Sequence, residues 1–193
     1  VNDMAEKQPN TRFEESGGGL YKIKGGIGHS DWSADGMQPH LADKMLEYLD
    51  ENKDSDKPFF LYMALTAPHI PLFPSKEFKG KSKIGDYGDL VMMIDDIVGR
   101  VNRKLKEIGK YDNTIVMFAA DNGCAGYINM DRINRKGHYP SYIYRGYKSH
   151  GWEGGHRIPF ILSWGDRYGH VTDNSLVSLT DLYATFADML GYP

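Results

Sequence analysis

Three short, continuous apolar runs constrain the fold more than any other feature of this chain. They are "PFFLYMAL" at 58–65, "TIVMFAA" at 114–120 and "IPFILSW" at 158–164. Turn-forming residues flank them: Pro58 and "TAPHIP" around the first, "GKYDN" and "DNG" around the second, "EGGHR" before the third. A short run without polar alternation is the pattern of a strand buried on both faces. Between the first two runs, Leu90, Ile94, Ile97, Val101, Leu105 and Ile108 fall on one stripe, which predicts an amphipathic helix over about 86–108. Leu41, Met45, Tyr48 and Leu49 predict an earlier helix, with Pro39 suited to its first turn. Leu179, Leu182, Phe186 and Met189 predict a last one, with Thr180 as N-cap and Gly191 past its end. Helices alternating with buried strands predict an α/β fold: a mostly parallel sheet flanked by helices.

The 193 residues suffice for one ordinary domain. Residues 1–38 are irregular and glycine-rich, with "ESGGGLYKIKGGIGHSDWSADG" reading as a short hairpin or loop, and the helical pattern begins at Pro39. A net charge of −3 gives no reason to expect nucleic acid as a partner. No apolar run approaches the ~20 residues that span a bilayer. The single cysteine, Cys124, excludes an internal disulfide and a multi-cysteine metal site.

In open α/β sheets, ligands bind beyond the carboxyl ends of the strands. The first run leads into "TAPHIPL", where prolines on both sides of His69 restrict the backbone and hold the ring in place. A rigid turn whose histidine only bonds its neighbours explains that segment equally well. The second run leads into Asp121 and Asn122, two oxygen donors of the kind hard cations take, or else an Asx-turn ending a strand. A loop of unusual length, 121–157, then ends in "RGYKSHGWEGGHR". Four glycines and a tryptophan among its charges argue for close packing rather than a solvated loop. A lysine held there is a compact cation for an anionic oxyacid group. A histidine, two hard oxygens and a fixed lysine at one sheet edge suit chemistry on a phosphate or sulfate ester.

Five ordered segments carry a family likeness: "KPFFLYMALTAPHIPL", "YGDLVMMIDDIVGRV", "DNTIVMFAADNG", "KSHGWEGGHRIPFILSW" and "SLTDLYATFADMLG". Together they resemble the C-terminal portion of the catalytic domain of type I, formylglycine-dependent sulfatases, over residues 39–193. The resemblance implies an alkaline-phosphatase-like fold and sulfate ester hydrolysis, arylsulfatase-like and directed at a sulfated carbohydrate. It also implies roles. His69 matches the histidine beside the leaving-group oxygen, a general acid, and Lys148 the lysine that contacts the sulfate. Asp121 and Asn122 match two ligands of a Ca²⁺ ion. Glu153 to Arg157 match a bracing segment in which His156 can face substrate. Arg145 and His150, with His138, Tyr147 and Trp152, are further candidates to contact a sugar. A periplasmic or secreted location is expected.

The chain departs from the family pattern in one respect. Those enzymes convert the cysteine or serine of a C/S-x-P-x-R motif to formylglycine, the nucleophile, and no such motif occurs here: Cys124 is followed by Ala-Gly-Tyr. Nor is there a counterpart for the other carboxylate ligands of the metal, since Asp95 and Asp96 read as a helix face. The 193 residues alone are therefore expected to be inactive. Two rival readings remain: a non-catalytic sulfatase-like module that binds glycan, and a phosphodiesterase or phosphonate hydrolase of the same superfamily.

Overall fold

The stripe from Leu90 to Leu105 becomes the inner face of the longest helix in the computed structural model, which describes residues 6–192. In chain order the elements are β1 (Thr11–Phe13), β2 (Gly26–Gly28), α1 (Met37–Glu51), α2 (Asp86–Glu107), β3 (Ile115–Ala119), α3 (Met130–Asn134), α4 (Glu153–His156), β4 (Phe160–Trp164) and α5 (Asp181–Met189). The α/β class follows. The core lies between the two long helices and the segment joining them. Ala42 and Met45 of α1 and Leu90, Met93 and Ile97 of α2 close on Leu72 and Phe78. Burying each of these larger side chains contributes about 2 kcal/mol. The ion pairs that also link the helices, Arg100 to Asp43 and Lys104 to Asp50, are partly exposed, so each adds well under about 1 kcal/mol. Apolar packing therefore holds the helix pair.

Helix α2 begins after Gly85, whose φ of +88° an L side chain rarely adopts. Asp86 and Asp89 occupy its first turn and Lys104 and Lys106 its last, which matches the helix dipole at both ends. Asp89 has a second task. It is fully buried, and its carboxylate accepts from the backbone N–H groups of Gly80 (2.7 Å) and Ser82 (2.6 Å). That bond pair fixes the loop before the helix.

Residues 1–38 do contain a hairpin where described: β1 and β2 pair antiparallel, and a bridge joins Ser16 to Ile23. Leu72 N–H donates to Leu20 O (2.8 Å), tying this segment to the turn that carries His69.

Three expectations need correction. Residues 58–65 form no regular element and join no ladder, and Phe60 and Tyr62 are 76% and 80% exposed. An apolar run reports which side chains avoid water; it does not supply the neighbouring backbone that a strand requires. The other two runs do form strands, but β3 and β4 pair antiparallel, Ile115 with Trp164 through Ala119 with Phe160. A parallel pair needs a crossover over one face of the sheet. The long loop between β3 and β4 instead folds back on itself beside the strand ends, and the chain returns in the opposite direction. Nor is this ladder buried on both faces, since Ile161 and Leu162 stay largely exposed. At the last helix, Thr180 holds the N-cap position as expected, although its side chain makes no capping bond. Asp181 accepts from Ser178 N–H (2.8 Å), and the Ser178 hydroxyl accepts from Thr180 N–H (3.3 Å), so the start is organised one turn earlier. Its end follows expectation: Gly191 has φ +74°, and Tyr192 N–H reaches back to Ala187 O (2.8 Å).

Candidate active site

His69 stands on a turn anchored from both sides. The buried Gln38 amide of α1 donates to the Thr66 hydroxyl, and His69 N–H donates to Thr66 O (3.0 Å). The ring's Nδ1 lies 2.7 Å from Ile70 O. A carbonyl only accepts, so Nδ1 carries the proton in this bond. That assignment leaves Nε2 as the free nitrogen. The Tyr127 ring packs edge-to-face against the imidazole, with centroids 6.0 Å apart.

The opposite wall explains the glycines of "KSHGWEGGHR". The segment after β3 and the segment before β4 are stitched by their backbones: Gly123 N–H donates to Gly155 O (2.9 Å) and Lys148 N–H to Cys124 O (2.8 Å), while Gly154 N–H to Arg145 O (2.9 Å) closes the second segment on itself. A Cβ at Gly123 would lie 2.0 Å from Gly154 O, and one at Gly155 2.1 Å from His150 O. No side chain fits between them. Lys148 is half-buried on this seam, and its backbone position is set by the Cys124 carbonyl. Burial raises the pKa of the Cys124 thiol, against hydrogen bonds from Tyr87 and Ala125 that lower it. Burial likewise pushes the Tyr87 phenol far above its usual value.

His69 and Lys148 share one cleft of about 290 Å³, lined also by Ala125, Gly126, Tyr127, Tyr147 and Ser149. That is just under the usual range of ligand clefts, about 300–1,000 Å³. Asp121, just past β3, is not among the residues lining this cleft; its charge is the smallest of the influences on the Tyr127 phenol, whose pKa is raised mainly by burial. The remaining candidates sit outside the cleft lining. His150 stacks on Tyr147 (4.2 Å between centroids), and Arg145 lies 3.9 Å over the Trp152 ring. His156 is exposed at the end of α4. Arg157 braces the wall through Glu153 (3.1 Å) and the Tyr144 ring. Tyr127 escaped the sequence reading, in which only its position shortly after "DNG" pointed to the strand end.

As metal donors, Asp121 and Asn122 go part of the way. The Asn122 amide nitrogen donates to Gly123 O (3.1 Å), which leaves its oxygen available. Ca²⁺ takes six to eight oxygens, and among the described residues no group of three or more His, Cys, Asp or Glu converges. Two donors do not make a calcium shell. The formylglycine precursor motif has no match in these residues either.

The Sulfatase family model matches residues 4–192, so the match takes in the hairpin segment that the sequence reading set apart. The chain is 33% identical over 165 residues to the N-acetylgalactosamine-6-O-sulfatase of Bacteroides thetaiotaomicron, covering 84% of this chain and 32% of that protein. It is 36% identical over 156 residues to an arylsulfatase of Hemicentrotus pulcherrimus, covering 81% and 27%. A solved structure described for the metabolism of multiple glycosaminoglycans by Bacteroides thetaiotaomicron superposes with a TM-score of 0.79 at 32% identity, over 88% of this chain and 36% of that one. The PsFucS1 sulfatase of a Pseudoalteromonas species gives a TM-score of 0.70 at 32% identity, over 82% and 30%. The fold class is accordingly α/β of the alkaline-phosphatase kind. The chain spans about a third of the length of these relatives. A family match along nearly all of its length, together with the fold, places this chain in the sulfatase family.

Proposed function

We propose that these residues form the acid and anion-binding wall of a sulfatase that hydrolyses sulfate esters on a carbohydrate. The observation that carries this reading is the meeting of His69 and Lys148 in one cleft beyond the β3–β4 ladder. Lys148 holds the anionic ester oxygens; being half-buried, its ammonium acts through a lower effective dielectric than bulk water. His69, with Nδ1 committed to Ile70 O, donates from Nε2 to the departing oxygen and leaves as the neutral imidazole. Tyr127 and Tyr147 narrow the cleft and give the leaving group's ring an apolar face. Asp121 and Asn122 would contribute two oxygens to a Ca²⁺ ion whose other ligands lie outside these residues. A formylglycine, also from outside them, would supply the nucleophile. The sulfated-carbohydrate reading draws on the relative named for N-acetylgalactosamine 6-sulfate and on the neighbour described for glycosaminoglycan metabolism. A periplasmic or secreted location belongs to the same proposal; no helix among the described residues is long and apolar enough to cross a membrane.

The test uses the full-length protein with p-nitrophenyl sulfate, p-nitrophenyl phosphate and N-acetylgalactosamine 6-sulfate. Release of sulfate, with phosphate ester cleaved far more slowly, is expected. Faster cleavage of the phosphate ester would move the site to the phosphodiesterase branch, and binding of the sugar without turnover would make it a glycan-binding module.

A further inference from the structure

One surface of the chain carries cations that are mostly without an acid partner among the described residues. Residues 79–85, "KGKSKIG", and 130–138, "MDRINRKGH", hold six lysines and arginines against the single carboxylate Asp131, in a chain whose net charge is −3. On α1 and α2 the balance is different: Lys44, Arg100, Arg103 and Lys104 each face an acid, as does Lys53 just past α1, and Lys106 instead lies over the Tyr111 ring. Here Lys81 alone reaches one, Glu77, at 4.0 Å. Lys79, Lys83, Arg132, Arg135 and Lys136 form no ion pair among the described residues, and all are exposed.

The two segments are joined and rigidly presented. The Lys136 ammonium donates to Lys83 O (2.5 Å), and a Cβ at Gly85 would lie 3.7 Å from the Arg132 guanidinium. Beneath them the buried Asp89 carboxylate pins Gly80 and Ser82. On α3, Ile133 is 2% exposed and the Asn129 side chain accepts from Arg132 N–H (3.2 Å). The same frame reaches the cleft. Tyr87, two residues past Gly85, meets Cys124 Sγ (3.5 Å), and Cys124 O holds Lys148 N–H. Tyr127 lines the cleft five residues before Arg132.

We propose that residues 79–85 and α3 form a docking surface for the polyanionic chain of a sulfated polysaccharide, extending from the cleft that takes its scissile group. This rests on the sulfatase reading above. The cations are spread over a face instead of converging on one hole, which suits a polymer with repeated charges and not a single anion. A polymer whose scissile group sits in a cleft of about 290 Å³ must continue along the surface. Continuity with a cleft read as taking a sulfate ester is what favours a sulfated polysaccharide over nucleic acid or anionic lipid.

The experiment measures binding of dextran sulfate to the full-length protein by calorimetry at low and high salt, beside turnover of p-nitrophenyl sulfate. The variant is Lys83→Ser with Arg132→Ser and Arg135→Ser; all three positions are exposed. A companion variant, Lys83→Arg with Arg132→Lys and Arg135→Lys, keeps the charge. Loss of three exposed charges should weaken dextran sulfate by about tenfold and flatten its salt dependence. The charge-keeping variant should bind like the wild type, and both should turn over the small ester unchanged. Undiminished binding by the serine variant overturns the proposal, as does single-stranded DNA or an anionic phosphatidylserine vesicle bound as tightly as dextran sulfate. If the wild type hydrolyses no sulfate ester, the sulfatase reading fails, while the dextran sulfate comparison still decides the surface.

Discussion

Replacing Gly123 by alanine should disable the site without touching a charged group. The added Cβ would lie 2.0 Å from Gly154 O and 2.9 Å from its carbon. An ordinary carbon–oxygen contact needs more than about 3 Å, so the segments after β3 and before β4 must part by roughly 1 Å. Two backbone hydrogen bonds span that seam, Gly123 N–H to Gly155 O and Lys148 N–H to Cys124 O. Losing both costs about 2 kcal/mol, and the crowding adds about 1–3 kcal/mol. Lys148 rides on the displaced segment, and a 1 Å misplacement of a binding group costs on the order of 100-fold in rate. The full-length Gly123→Ala variant should therefore show kcat/KM for p-nitrophenyl sulfate reduced about 100-fold, with a lowered melting temperature. Gly151 is the control: it lies in the same stretch, but a Cβ there meets nothing within 4 Å. Gly151→Ala should leave both quantities unchanged. Full activity in Gly123→Ala, or equal damage from Gly151→Ala, would refute the backbone-seam argument.

Three further outcomes follow from single contacts. Asp89→Ala leaves two loop N–H groups without their charged acceptor, so unfolding free energy should fall by about 3 kcal/mol in denaturant titration; a change under about 1 kcal/mol would mean that water replaces the carboxylate. The Cys124 thiol, its pKa raised by burial, holds less thiolate than free cysteine at pH 8, so iodoacetamide should label it more slowly, and labelling at the free rate would contradict that environment. A polypeptide of these 193 residues alone exposes Phe60, Tyr62, Ile161 and Leu176, so it should self-associate in light scattering and release no sulfate; a monodisperse, cooperatively melting monomer would contradict the first expectation.

The parts of the fold that were legible in the sequence are those with local causes. The α2 stripe was readable because a 3.6-residue period is written in consecutive side chains, and Gly191 because a left-handed residue closes a helix with bonds a few residues back. Pairing is non-local, which is why 58–65 reads as a strand although it joins no ladder, and why the direction of β4 is not legible. Thr180 does hold the N-cap position of α5, but "SLTD" offers two hydroxyls and only geometry gives the bond to Ser178. At the site, His69 and Lys148 were legible through their motifs, and the structure brings them into one cleft. Asp89 and Tyr127 were not. A buried carboxylate on a helix whose other face is charged looks like one more surface acid, and Tyr127 is one aromatic among 13 tyrosines.

The central claim is that His69 gives a proton to the departing oxygen while Lys148 holds the ester. The most direct measurement is kcat/KM for a series of sulfate esters of graded leaving-group pKa, in the full-length wild type and in His69→Ala. The account predicts that His69→Ala loses on the order of 10²–10⁴-fold on a sugar or alkyl sulfate and much less on an activated aryl sulfate, which departs without a proton. The dependence on leaving-group pKa should thus steepen. Equal losses across the whole series would contradict the account, because they would make His69 a sulfate-binding group and leave the acid unassigned.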